Sequence, residues 1–169
     1  NVVAPAVAEK LGIPAGNVLN MGTVAAMVGV IFFFVMGAVN RKIGPRVTSF
    51  ICLILGGVGY FGMGHANSLA QYAIALCICT IGCMSAGYIS GGAFVAQWFP
   101  KKKGIVMGIT TIGMNLASAL INWILSGLSG QFQISGALSI LGGVVILLAI
   151  LLGIFVKATP EEAGCYPDN

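Results

Sequence analysis

The chain has 169 residues, 58% of them hydrophobic and only 7% charged, with a mean hydropathy of +1.01. An average soluble domain carries roughly 25% charged residues, so this chain has too little polar surface to coat a water-soluble globule and reads as an integral membrane protein. Eight Lys and Arg against four Asp and Glu give a net charge of +4. The basic residues sit in short segments beside apolar runs, where membrane topology and anionic headgroups account for them, and no nucleic-acid partner is expected.

Residues 1–17 hold Glu9 and Lys10 and no complete span. They read as the outer end of a first helix that precedes Asn1, followed by an external loop, with Asn17 as N-cap of the next helix. Five apolar runs then read as transmembrane helices, near 18–39, 47–64, 69–97, 104–127 and 134–156. The third exceeds the ~20 residues that hydrocarbon requires, so it must tilt or project. No run contains Asp, Glu, Lys or Arg. A charge at mid-membrane costs about 2.5–3.5 kcal/mol on insertion scales, and its absence also removes the usual marker of a proton relay. Gly56, Gly57, Gly59, Gly62 and Gly64 make the second run thin and packable, and Gly87/Gly91 and Gly104/Gly108 form small-x3-small faces suited to helix packing. Residues 157–169 are polar and proline-bearing and read as a linker.

Cys77, Cys79 and Cys83 have a C-x-C-x3-C spacing. On a helix 79 and 83 share a face while 77 points elsewhere, so these thiols read as small packing groups, with no metal site and no cofactor. An enzyme is not expected either, since the spans offer no paired acids and no Ser-His arrangement.

The distribution of charge by loop gives a topology. Arg41, Lys42 and Arg46 lie between the first and second runs, Lys101, Lys102 and Lys103 between the third and fourth, and Lys157 after the fifth. Three alternate connections thus hold seven of the eight basic residues, and the intervening loops, 64–68 and 129–133, hold no Lys or Arg. The positive-inside rule places the basic side and the C-terminus in the cytoplasm, with the protein in the cell (plasma or inner) membrane.

Two of these loops carry a family resemblance. Gly37-Ala38-Val39-Asn40-Arg41-Lys42-Ile43-Gly44-Pro45-Arg46 resembles the signature between helices 2 and 3 of major facilitator superfamily transporters, with Gly37, Lys42, Gly44 and Arg46 matching and Arg41 standing where that family has an acid. Trp98-Phe99-Pro100-Lys101-Lys102-Lys103-Gly104, followed by Met107-Gly108-Ile109, resembles the loop before helix 5 in the oxalate/formate antiporter and monocarboxylate transporter branch. Pro160-Glu161-Glu162-Ala163-Gly164 resembles the start of that family's central cytoplasmic linker. The resemblance implies an all-α polytopic bundle, a six-helix N-terminal half lacking its first helix and matching helices 2 to 6. It also implies alternating-access transport of a small organic anion in partnership with a C-terminal half. The Arg41 departure leaves open the cytoplasmic lock that the family's acid provides; the basic loops serve first as topological anchors, with a gating role for Gly37, Arg41, Lys42, Gly44, Arg46, Pro100, Lys101, Lys102 and Lys103 as the sharper reading.

Substrate contacts are sought among polar side chains at mid-span. Tyr88 has a hydroxyl that needs a partner in hydrocarbon or a wet cavity, and the resemblance implies that a helix-4 tyrosine at this position lines the substrate path. Asn115 and, closer to the outer end, Asn122 lie two turns apart on one helix face, where a buried amide seeks protein or water. Interhelix bonding is the competing role for all three. The rival to a transporter half is a self-standing membrane scaffold or a homo-oligomeric pore subunit, which leaves the two family-like loops unexplained.

Overall fold

A computed structural model of the chain describes residues 3–131, 133–157, 159–164 and 166, with the side chains of residues 129–131 undescribed. Ala158, Cys165 and residues 167–169 of the expected linker, and Phe132, lie outside the described residues. Every regular element among the described residues is helical. A short helix α1 (Val3–Leu11) is followed by α2 (Ala15–Ile43) and α3 (Pro45–His65). Next come α4 (Leu69–Met84), a π-helical turn (Ser85–Ser90) and α5 (Gly91–Trp98), which together make one span, and then α6 (Lys103–Gln131) and α7 (Ile134–Phe155). Five of these stretches are long and apolar enough to cross a membrane: Ala15–Ile43, Pro45–His65, Leu69–Trp98, Lys103–Leu128 and Ile134–Phe155.

Local chemistry sets the ends. α2 begins at Ala15 behind Pro14, whose ring fixes φ near the helical value. Asn17 is therefore already inside the helix and does not cap it, which corrects the N-cap expected from the sequence. At the other end α2 runs through Arg41 and Lys42, because nothing there breaks a helix and cations suit the negative end of the macrodipole. It stops at Gly44, whose φ of +83° is open to glycine, and Pro45 at once starts α3 in its favoured first-turn position. Ser68 caps α4, its hydroxyl accepting from the Gln71 amide while the Gln71 side chain accepts from the Asn67 amide.

α3 is the hub, and its glycines explain why. One face packs on α4, where a Cβ at Gly56 would meet the Cys83 thiol at 2.8 Å and one at Gly59 would meet the Cys79 backbone at 2.6 Å. The opposite face packs on α7, where Gly142 lies so close to the Gly57 carbonyl that a Cβ would reach it at 2.8 Å. Backbones this close gain dispersion contacts that bulkier helices in lipid cannot. Arg46 Nη2 donates to the Gly153 carbonyl (2.6 Å) and Lys10 Nζ to the Gly64 carbonyl (2.7 Å), tying the start of α3 to the end of α7 and the end of α3 to α1. α6 is different. Leu125 is its one buried residue among the described side chains, and Gly104 and Gly108 have nothing within 4 Å. The small-x3-small face expected to pack there is open, and α6 approaches the bundle through Met107, Met114 and Leu125 instead.

Candidate functional site

The space between α6 and the hub is a cleft of about 560 Å³, lined by Ser49, Leu53 and Tyr60 of α3, Cys83, Ala86 and Gly87, a stripe of α6 from Met114 to Leu125, and Leu141, Val145 and Leu152 of α7. The lining runs along most of the length of α3 and α7, from Ser49 and Leu152 near the basic end to Tyr60 and, on α6, Leu125 toward the other. A second space of about 370 Å³ lies among α2, α3 and α4 toward the end away from the basic loops, and includes Tyr60, Tyr72, Cys79, Thr80 and Cys83. Val3, Tyr60 and Cys83 line both, so the two spaces adjoin across the Tyr60 side chain. Tyr60 is half-buried, and Cys79 and Cys83 line the second space with it.

The polar groups of α6 form a helical stripe. Thr111, Asn115, Ser118 and Asn122 are spaced 4, 3 and 4 and all are exposed. Each amide donates one bond to its own helix, Asn115 Nδ2 to the Thr111 carbonyl (3.0 Å) and Asn122 Nδ2 to the Ser118 carbonyl (2.9 Å), which leaves the amide oxygens available. Ser118 and Asn122 line the cleft; Asn115 lies on the same stripe beyond the lining. The cleft lining holds hydroxyl, amide and thiol groups and no charged side chain. It is suited to orienting a small polar ligand by hydrogen bonds within apolar walls.

Tyr88 sits in the π-helical turn and is 55% exposed, outside the cleft lining. Its neighbours Ala86 and Gly87 face the cleft instead, and Gly87 approaches the Met114 methyl. Tyr88 is one residue past Gly87, about 100° round the axis of an ordinary helix, and so falls on a different face. The turn is held at its far end by Ser90, whose hydroxyl donates to Asn40 Oδ1 of α2 (3.3 Å). Sequence reasoning passed over Tyr60 and Ser118. The available signal for Tyr60 was a single phenol inside the glycine run of α3.

The basic residues gather at one end of the bundle. Arg41 and Lys42 are exposed on the last turn of α2, and Gly37 beside them has nothing within 4 Å. Arg46 is half-buried against α7. Pro100, Lys101 and Lys102 form an exposed turn and Lys103 opens α6, so Pro100 precedes that helix by three residues. The Cys83 thiol packs against Gly56 and the Cys79 backbone and Cβ against Gly59, and Cys52, Cys77, Cys79 and Cys83 are free.

A glycine-cored helical membrane bundle with an uncharged, largely apolar cleft bearing a few polar groups is the class of protein these observations define. The family model of the Major Facilitator Superfamily matches residues 1–166, and the chain belongs to that superfamily. It is 25% identical to the alpha-ketoglutarate permease of Bacillus subtilis (strain 168) over 99% of this chain and 39% of that protein. It is 21% identical to the MFS-type transporter YhjX of Escherichia coli (strain K12) over 93% of this chain and 39% of that protein. A 38 kDa protein encoded in the 23S RNA operon of Thermoproteus tenax is 23% identical over 99% of this chain and 44% of its own length. The chain therefore spans less than half the length of these relatives.

Proposed function

We propose that the chain is the main part of the N-terminal half of a secondary transporter that moves a small organic anion by alternating access. The observation that carries this reading is the cleft between α6 and the hub, whose apolar walls bear the polar groups of Ser49, Tyr60, Ser118 and Asn122 and no charge. One relative is named a permease for alpha-ketoglutarate, an organic anion, and the Trp98–Gly104 loop resembles the oxalate/formate and monocarboxylate branch. The cleft lining offers no cation, so the counter-charge for an anion comes from a C-terminal half. The basic end faces the cytoplasm, its loops anchor and gate that face, and the tail is the linker to the second half.

Uptake of labelled mono- and dicarboxylates into proteoliposomes by the full-length protein tests this. Tyr60→Phe and Asn122→Ala are each expected to raise KM about fivefold, the factor that corresponds to a net hydrogen bond of ~1 kcal/mol. Transport with KM unchanged in both variants would remove the cleft as the binding site. Absence of carboxylate uptake or exchange by the intact protein would remove the substrate class.

A further inference from the structure

On the side of the α3–α7 seam opposite the cleft, and at the basic end, lies an open trough of about 360 Å³. Its walls are Val47 and Phe50 of α3 and Ile150 and Ile154 of α7, with Gly153 as floor. The Phe50 ring lies over Gly153 so closely that a Cβ there would stand 2.9 Å from it. Val47, Ile150 and Ile154 are exposed, so the trough opens on the lipid-facing surface. Arg46 closes one end. Its Nη2 donates to the Gly153 carbonyl, one of the four at the end of α7 that lack a helical partner. That bond pins the guanidinium over the trough and uses one of its five N–H donors. The acceptor is a neutral carbonyl, and among the described residues no carboxylate pairs with Arg46.

We propose that this trough binds an anionic phospholipid, with the phosphate on the Arg46 guanidinium and an acyl chain along Val47, Phe50, Ile150 and Ile154. Charge complementarity selects the occupant. A planar fork with free donors at a membrane surface matches phosphate oxygens in bidentate geometry, and the basic end of a membrane protein is where anionic headgroups concentrate. The four apolar walls add a requirement for hydrocarbon that a dissolved anion does not meet. The site is independent of the transport reading, because none of its residues lines the cleft.

Native mass spectrometry of the full-length protein, offered equal amounts of dioleoyl-phosphatidylglycerol and dioleoyl-phosphatidylcholine, tests the proposal. Retention of the glycerol lipid is expected to exceed that of the choline lipid about fivefold, the factor that ~1 kcal/mol per basic side chain corresponds to. Arg46→Gln is expected to abolish that preference, while Arg41→Gln at the same end retains it. Val47→Trp fills the trough at an exposed position without touching the charge and is expected to lose the preference as well, so the answer does not hang on the folding of Arg46→Gln. Equal retention of the two lipids, an unchanged preference in Val47→Trp, or displacement of the lipid by soluble glycerol phosphate at matching concentration would each overturn it.

Discussion

Gly59→Ala isolates the contact on which the bundle is built. The added Cβ meets the Cys79 amide nitrogen at 2.6 Å and the Cys79 Cα and Cβ at 2.7 Å. These are backbone atoms and the first side-chain carbon, so no rotamer change relieves the clash. Ordinary contact begins at 3.4 Å, which is about 0.8 Å more than the gap available (3.4 less 2.6). α3 cannot retreat by that amount, because its other face already touches α7 through Gly57 and Gly64. Overpacking of this kind costs about 1–3 kcal/mol. Alanine also gains up to about 1 kcal/mol over glycine in helix propensity. The same gain without the clash is supplied by Gly143→Ala, whose Cβ has nothing within 4 Å. The Gly59→Ala protein is thus expected to be less stable than the Gly143→Ala protein by about 1–3 kcal/mol, the overpacking cost alone. Unfolding in detergent–SDS mixed micelles, followed by loss of helical circular dichroism, measures the difference. Equal stability of the two variants would show that the α3–α4 interface has slack and that the glycines do not set it.

Ser68→Ala removes the hydroxyl that accepts from the Gln71 amide at the start of α4; a loss of about 1 kcal/mol is expected in the same unfolding assay, with no change for Ser68→Asp. Lys42→Cys and Lys102→Cys, each in a background without the native cysteines, are expected to react with an impermeant maleimide from one and the same side of sealed vesicles. Labelling from opposite sides would refute the shared basic face and with it the proposed sidedness.

The fold was legible wherever a single physical quantity decides it. Uninterrupted apolar length marks the spans, since a charge in hydrocarbon is expensive, and Gly44-Pro45 marks the α2–α3 turn because one residue needs positive φ and the next cannot continue a helix. The packing role of the α3 glycines was likewise visible as a run of small residues in an apolar segment. The π-turn was not legible. Nothing in Ser85-Ala86-Gly87-Tyr88-Ile89-Ser90 distinguishes it from an α-helix, and its position depends on how α4 and α5 meet Gly56 and Asn40, which is tertiary information. Tyr88 was weighed as a substrate-path residue on the family resemblance, and its position one residue past Gly87 puts it outside the cleft lining. Asn115 and Asn122 were placed on one face by their spacing, but only the approach of α6 toward the bundle near Leu125 distinguishes them.

That approach also links the energetics to the proposed function. α2 and α6 bury little of their surface, whereas α3 buries both faces against α4 and α7. Opening α3–α4 would forfeit close backbone contacts. The polar stripe Thr111–Asn115–Ser118–Asn122 lies on the exposed face of α6, with its amide donors already held by α6 itself. A hydrogen-bonding surface that keeps its own donors satisfied while its neighbours change can contact ligand, water or another helix in turn without stranding a buried polar group. For the alternating access proposed above, the polar face of α6 is expected to be the surface that exchanges partners.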